Sequence, residues 1–133
     1  MKRDIQFRPV EYMGVAIVKS DIADDILWDV YLFNFQDITI RNVIVASRGY
    51  GLIADKEMET TTLRHFYDDI KALDYVKIEP LDENLFALSN EYWVSFQAND
   101  YLYDKKFVLP PNTVREEDLT LIPFLNRMGI MIQ

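Results

Sequence analysis

The side chains suited to chemistry are few. His65 is the single histidine and cysteine is absent. Neither a histidine cluster for zinc nor a thiolate site or thiol nucleophile can therefore be built within one chain. A Ser-His-Asp relay would have to use His65, with Asp68 and Asp69 as nearby carboxylates. Yet no serine stands in a Gly-x-Ser-x-Gly turn. Carboxylates cluster at Asp21/Asp24/Asp25, Asp68/Asp69, Asp82/Glu83 and Glu116/Glu117/Asp118. None shows the Asp-x-Asp-x-Asp-Gly spacing, closed by a later Glu, that wraps oxygens around calcium. Paired acids for glycoside hydrolysis would have to converge from distant positions. In a chain with 22 acidic residues, such doublets and triplets are what solvated faces carry. Gly49-Tyr50-Gly51 is the nearest approach to a phosphate loop, but no Gly-Lys-Ser/Thr follows and no third glycine completes a dinucleotide fingerprint. The sequence thus offers no catalytic residue, no metal-ligand set and no cofactor motif.

Aromatic residues are the enriched class: eight Tyr, eight Phe and two Trp. Trp93, Tyr101 and Tyr103 fall on one predicted hairpin, where exposed rings would suit a carbohydrate, a peptide or a second subunit. Trp93 lies opposite the regular Tyr92/Val94/Phe96 face. Aromatics also pair across strands and fill sandwiches, so the platform competes with a purely structural use.

The elements that must position these residues read as strands. Short alternating or β-branched runs are separated by polar clusters throughout. Tyr12 to Lys19 alternates loosely. Ile26 to Phe35 places Ile26, Trp28, Val30 and Leu32 on one face, and Leu27, Tyr31 and Phe33 make the other partly apolar too, which predicts a central or covered strand. Ile38 to Ser47 follows, and Arg48-Gly49-Tyr50-Gly51 is expected to end it. Thr60 to Leu73 is ambiguous: Leu63, Phe66, Tyr67, Ile70 and Leu73 recur at helical spacing, whereas three consecutive threonines favour a strand. A strand over Thr60 to Phe66 and a turn with at most one helical turn near Asp69 to Leu73 is the preferred reading. Tyr75 to Glu79 is a strand with Val76 and Ile78 inward, and Leu85 to Leu88 a possible short one. Tyr92 to Leu109 is a hairpin turning at Asn99-Asp100 and stopped by Pro110-Pro111. Thr113 to Glu116 has the form of a capping box, and Pro123 and Gly129 argue against one helix over Leu119 to Ile132.

Seven or eight short strands, turns every 8–12 residues and no alternating long helices predict an all-β chain, an antiparallel β-sandwich. The alternative is an α+β domain with one helix over 62–73. The Trp28 strand, the Asn34 after it and Asn42-Val43-Ile44-Val45 resemble immunoglobulin-like and appendage-type sandwich domains, without the Cys pair of antibody domains. No linker or repeat divides the chain, so residues 1–133 are expected to form a single domain.

Composition bounds the partners. The chain has 133 residues, half of them apolar, which is ample for a core and excludes a disordered chain. A net charge of −8 repels phosphate backbones, so no nucleic acid is expected despite the short basic cluster Lys2/Arg3/Arg8. No apolar run is long enough to cross a bilayer, and no apolar segment follows the basic start, so a cytoplasmic, non-membrane protein is expected.

Three stretches carry a wider likeness: Trp28-Asp29-Val30-Tyr31-Leu32, Asn42-Val43-Ile44-Val45, and Ser89-Asn90-Glu91-Tyr92-Trp93-Val94 with Tyr103-Asp104-Lys105-Lys106-Phe107. Together they resemble a family of short bacterial proteins of uncharacterised role, some labelled phenylalanyl-tRNA synthetase subunit. The label implies aminoacylation, which the residues do not support. Gly49-Tyr50-Gly51 is followed by Leu52, Ile53 and Ala54 rather than by the arginine of a synthetase motif 3. Arg115-Glu116-Glu117 lacks the phenylalanine of motif 2. No functional residue is carried over.

The sequence therefore points to a non-catalytic protein-interaction or structural module, holding a protein partner or a second copy through sheet edges or the Trp93 hairpin. Lys105 and Lys106 would blunt one edge. Two alternatives stand beside it. One is a small hydrolase or lyase whose carboxylates or His65 meet at a subunit interface; the other is a sugar or small-ligand binder on the aromatic surface.

Overall fold

The structure is a computed structural model describing residues 7–8, 10–20 and 27–133. Eleven strands are described: β1 (Phe7–Arg8), β2 (Met13–Lys19), β3 (Leu27–Asn34), β4 (Ile40–Ile53), β5 (Lys56–Glu59), β6 (Leu63–Ile70), β7 (Asp74–Asp82), β8 (Ser89–Ala98), β9 (Tyr101–Leu109), β10 (Thr120–Ile122) and β11 (Arg127–Ile132). Two single 3-10 turns, Glu83–Ala87 and Glu116–Asp118, are the helical content among the described residues. The class is all-β.

The strands form two sheets. The first runs β1-β9-β8-β4-β5, with β6 pairing the other half of long β4; the second runs β10-β11-β2-β3-β7. All neighbours are antiparallel except β1, which lies parallel to β9. β3 sits between β2 and β7, and β8 sits between β4 and β9. That is the pairing order of strands A, B, E and C, F, G of an immunoglobulin sandwich. The β10–β11 hairpin extends the second sheet beyond β2. Trp28 occupies the B-like strand rather than the C-like strand that carries the tryptophan of antibody domains.

Alternation explains the core. Val15 and Ile17 of β2, Trp28, Val30 and Leu32 of β3, Val43 and Val45 of β4, and Tyr92, Val94 and Phe96 of β8 all face the space between the sheets. Burying each such side chain contributes about 1.5–3 kcal/mol. β3 buries its second face as well. Phe33 lies under Ile122 and Leu125, while Phe124 stacks on Phe33 and meets Phe35 at a tilt. The β10–β11 turn thus folds over the outer surface of the second sheet, which is why both faces of β3 are apolar. Gly129 lets β11 reach β2, because a Cβ there would sit 2.4 Å from the Ile17 carbonyl oxygen.

Several boundaries differ from expectation. Residues 21–26, Lys2 and Arg3 lie outside the described residues. β4 does not end at Gly49-Tyr50-Gly51; it runs on to Ile53, with Gly51 at φ 144° pairing Met58. Residues 62–73 contain no helix: β6 is extended to Ile70, and the helical spacing of its apolar residues arises because outward Phe66 is apolar too. Leu85 to Leu88 belongs mainly to a 3-10 turn capped by Asp82, not to a strand. Thr113 does not cap Glu116; its hydroxyl donates to the Pro110 carbonyl. The Ala54-Asp55 and Asn99-Asp100 turns both hold two successive left-handed residues, the geometry that matches strand twist in two-residue hairpins.

One buried polar residue ties the connections at one end of the sandwich. Asn34 is fully buried, donates to the carbonyls of Ile38, Ile70 and Lys71 at 2.9, 3.3 and 3.0 Å, and accepts from the Gln36 N–H at 3.0 Å. Asn34→Leu leaves several of these groups unpaired. Since each unpaired buried group costs about 1–3 kcal/mol, the expected loss is roughly 3 kcal/mol, read as a lower urea midpoint with little change in slope.

Candidate functional site

The hairpin residues singled out above do not share a surface. Trp93 pairs with Lys106, whereas Tyr103 pairs with Phe96 and Tyr101 with Ala98. Residues directly opposite on antiparallel strands share a face. Trp93 therefore points outward from the first sheet, and Tyr101 and Tyr103 point to its inner side. Tyr103 stacks on buried Phe96, centroids 5.0 Å apart and nearly coplanar. The one-residue offset between 93 and an even partner on β9 decides this split. The expected platform of three rings is not assembled.

What Trp93 joins instead is a pair of rows across four strands. Arg64, Ala46, Trp93 and Lys106 form one row on β6, β4, β8 and β9; Phe66, Ile44, Ser95 and Asp104 form the next outward row. Phe66 is 71% exposed and Trp93 45%, with Ile44 and Leu102 also exposed. Among the described residues no element packs over this stripe. Polar contacts hold it in place. The Trp93 indole N–H donates to Asp104 Oδ2 at 3.0 Å, and Lys106 Nζ sits 4.8 Å from the Trp93 ring centroid. Beside the stripe, Glu91 is almost fully buried, accepts from Arg48 Nε at 3.2 Å and lies 3.6 Å from Lys106. Arg48 also pairs with Glu59. Charges thus alternate Glu59, Arg48, Glu91, Lys106, Asp104 along the flank.

A second polar group lies inside the sandwich. Ser47 Oγ donates to Glu79 Oε1 at 2.6 Å, and His65 Nε2 lies 2.7 Å from the same oxygen. A cavity of about 270 Å³ adjoins Ser47, Glu79 and Tyr92. Burial pushes the Tyr92 hydroxyl far above its ordinary value and raises Tyr67 as well, with the Glu79 carboxylate adding to both. The arrangement is not a nucleophile relay. Ser47 is 3% exposed and directs its proton to the carboxylate rather than to the imidazole. Its visible role is to join β4 and β6 of one sheet to β7 of the other. Sequence reasoning missed Glu79 because a bulge in β7, opposite Val30/Tyr31, leaves Ile78 out of register and turns Glu79 inward. His65 did carry a signal, since it alternates with half-buried Tyr67.

The third constellation lies on the second sheet. Asp29 accepts from Arg127 at 2.9 Å, lies 3.1 Å from Lys77 Nζ, and is 8% exposed; Arg127 also donates to the Tyr31 hydroxyl and the Lys19 carbonyl. This network fastens β11 across β2 to β3.

Among the described residues, no three His, Asp or Glu side chains are placed to hold a metal ion. No helix among them is long and apolar enough to cross a membrane. Asp21, Asp24 and Asp25 lie outside the described residues. Compared with known proteins, the chain matches no family model, no curated protein and no solved structure.

The Asp29 network sets a pH dependence. Burial pushes its carboxyl up, but hydrogen bonds and charge from Arg127 and Lys77 outweigh that and hold it below the ordinary aspartate value of 3.8. A depressed native value adds stability that is fully present above the ordinary value and is lost as pH falls through the native one. Thermal melts should therefore fall more steeply below about pH 4 in the wild type than in Asp29→Asn, and the two curves should converge toward pH 2. Parallel curves would show that the network adds no proton-linked stability.

Proposed function

We propose that this protein is a non-catalytic interaction module that pairs with a second copy of itself through the outer face of the first sheet. The supporting observation is the exposed apolar stripe Phe66–Ile44–Trp93, which no element among the described residues covers. A second copy suits it better than an arbitrary partner because the two rows complement each other. A two-fold axis running across the strands between them exchanges the rows. Lys106 then faces Asp104 of the partner subunit, Arg64 faces the partner's Phe66, Ala46 faces the partner's Ile44, and Trp93 faces the partner's Ser95. Each cation meets a carboxylate or a ring, and Ile44 and Trp93 each meet a small residue.

The size of the face sets the strength. Four strands about 4.8 Å apart and about eight residues long present roughly 500 Å². That is below the ~800 Å² per partner of a standard stable interface, so the dimer is weak and concentration-dependent. A hydrolytic reading has one observation in its favour, the Ser47–Glu79–His65 group beside its cavity. The burial of Ser47 and the shared carboxylate oxygen favour the structural role. We further propose a cytoplasmic setting, with which a sequence free of cysteine agrees.

Sedimentation velocity from about 1 to about 300 µM should show the sedimentation coefficient rising with concentration, as a weak interface requires. Lys106→Glu sets two carboxylates against each other and should weaken association about tenfold. Adding Asp104→Lys to that variant exchanges the charges across the axis and should restore it. A wild type that stays monomeric throughout, or a double variant no better than the single, overturns the proposal.

A further inference from the structure

The end of the sandwich where the β3–β4 connection meets the β8–β9 turn carries a cleft distinct from the sheet face. It measures about 500 Å³ and is bounded by Glu11, Tyr12, Phe35, Asp37, Asn99 and Tyr103 among others. Small-molecule sites span about 300–1,000 Å³, so the cleft has room for a guest. Three aromatic and two acidic residues line it, and among the described residues no Lys or Arg does so. Among the described residues neither Glu11 nor Asp37 has an ion-pair partner.

The walls are held from behind. Phe35 stacks on buried Phe33 at 5.4 Å, and Tyr103 stacks on buried Phe96 at 5.0 Å. The Phe35 N–H donates to the Tyr12 carbonyl at 2.9 Å, and the Gln36 side chain donates to the Glu11 carbonyl at 3.0 Å. These bonds clamp the start of β2 to the end of β3, and Asn34 fixes the connection that follows. Groups so held lose little freedom when a ligand arrives. Tyr12 is left 71% exposed at φ 56°, a left-handed conformation uncommon for a bulky residue. It lines the cleft without the reward of burial in the core.

We propose that this cleft binds an organic cation: the ammonium or guanidinium group of a small amine, or of a Lys or Arg side chain on a peptide. Ring faces present negative quadrupoles, and the unpaired carboxylates supply the full countercharges. An anion would meet those carboxylates with nothing among the described lining residues to offset them. The −8 net charge steers cations toward the molecule and anions away.

The test uses the full chain and three probes followed by NMR: choline, its uncharged carbon isostere 3,3-dimethylbutanol, and a blocked Gly-Arg-Gly peptide. Choline or the peptide should shift the ring resonances of Tyr12 and Tyr103. The uncharged isostere should bind at least about tenfold more weakly. Asp37→Asn and Tyr12→Ala, both at exposed positions, should each weaken the cation about three- to tenfold while circular dichroism stays unchanged. Tighter binding of the peptide than of choline assigns the cation to a side chain, and the reverse order assigns it to a free amine. If neither cation shifts those resonances, or the isostere matches choline, the cleft is no cation site.

Discussion

The alternation of side chains across pleated strands governs this molecule. Each strand that closes the core commits its other residues to the opposite surface, and strand register then decides which of those meet. Because Tyr92, Val94 and Phe96 point inward, Trp93 and Ser95 must point out. Because β8 pairs β4 and β9 in fixed register, Trp93 falls between Ala46 and Lys106 and nowhere else. The rows on the first sheet are consequences of the core. A register slip of one residue in β8 would bury Trp93 and expose Phe96 together.

Irregular positions, two in the interior and one on the exposed surface of β4, are matched by polar contacts. The bulge in β7 turns Glu79 inward, where Ser47 and His65 meet it and bridge the sheets. At the end of β3, Asn34 faces backbone carbonyls rather than apolar side chains. In β4, left-handed Asn42 accompanies a register shift against β8, and its amide donates to Gln97. Each irregularity is paired with a hydrogen bond that a regular ladder would not need. Polar groups buried without such partners would cost more than the local strand could return.

Sequence periodicity was informative wherever a strand has one buried face. β2, β3, the first half of β4 and the β8–β9 hairpin were legible for that reason, and Asn99-Asp100 identified its turn. β5 was invisible because Lys56 to Glu59 is exposed along its whole length, so no apolar pattern records the pairing with β4. β6 misled because an edge strand with apolar Phe66 on its outer side imitates helical spacing. The β10–β11 hairpin was obscured by Pro123, Phe124, Leu125 and Asn126, a turn whose apolar residues serve the outer cluster on the second sheet rather than the sandwich core. Of the candidate surface, Trp93's exposure was legible from alternation. The inward direction of Tyr101 and Tyr103 follows from the pairing of β9, which alternation along β8 alone does not specify.

Charge is distributed in a way that separates the two surfaces. Fourteen basic residues stand against 22 acidic ones, so two copies repel at long range. On the sheet face that repulsion is offset locally, because Arg64, Lys106 and Arg48 stand among Asp104, Glu91 and Glu59. At the end cleft no basic residue among the described ones offsets Glu11 and Asp37. Under the proposed self-pairing the face suits a second copy only at contact distance, where Debye screening at physiological salt has already removed most of the long-range opposition. The proposed cation cleft and the proposed pairing face share no residue, so the two readings stand on separate groups.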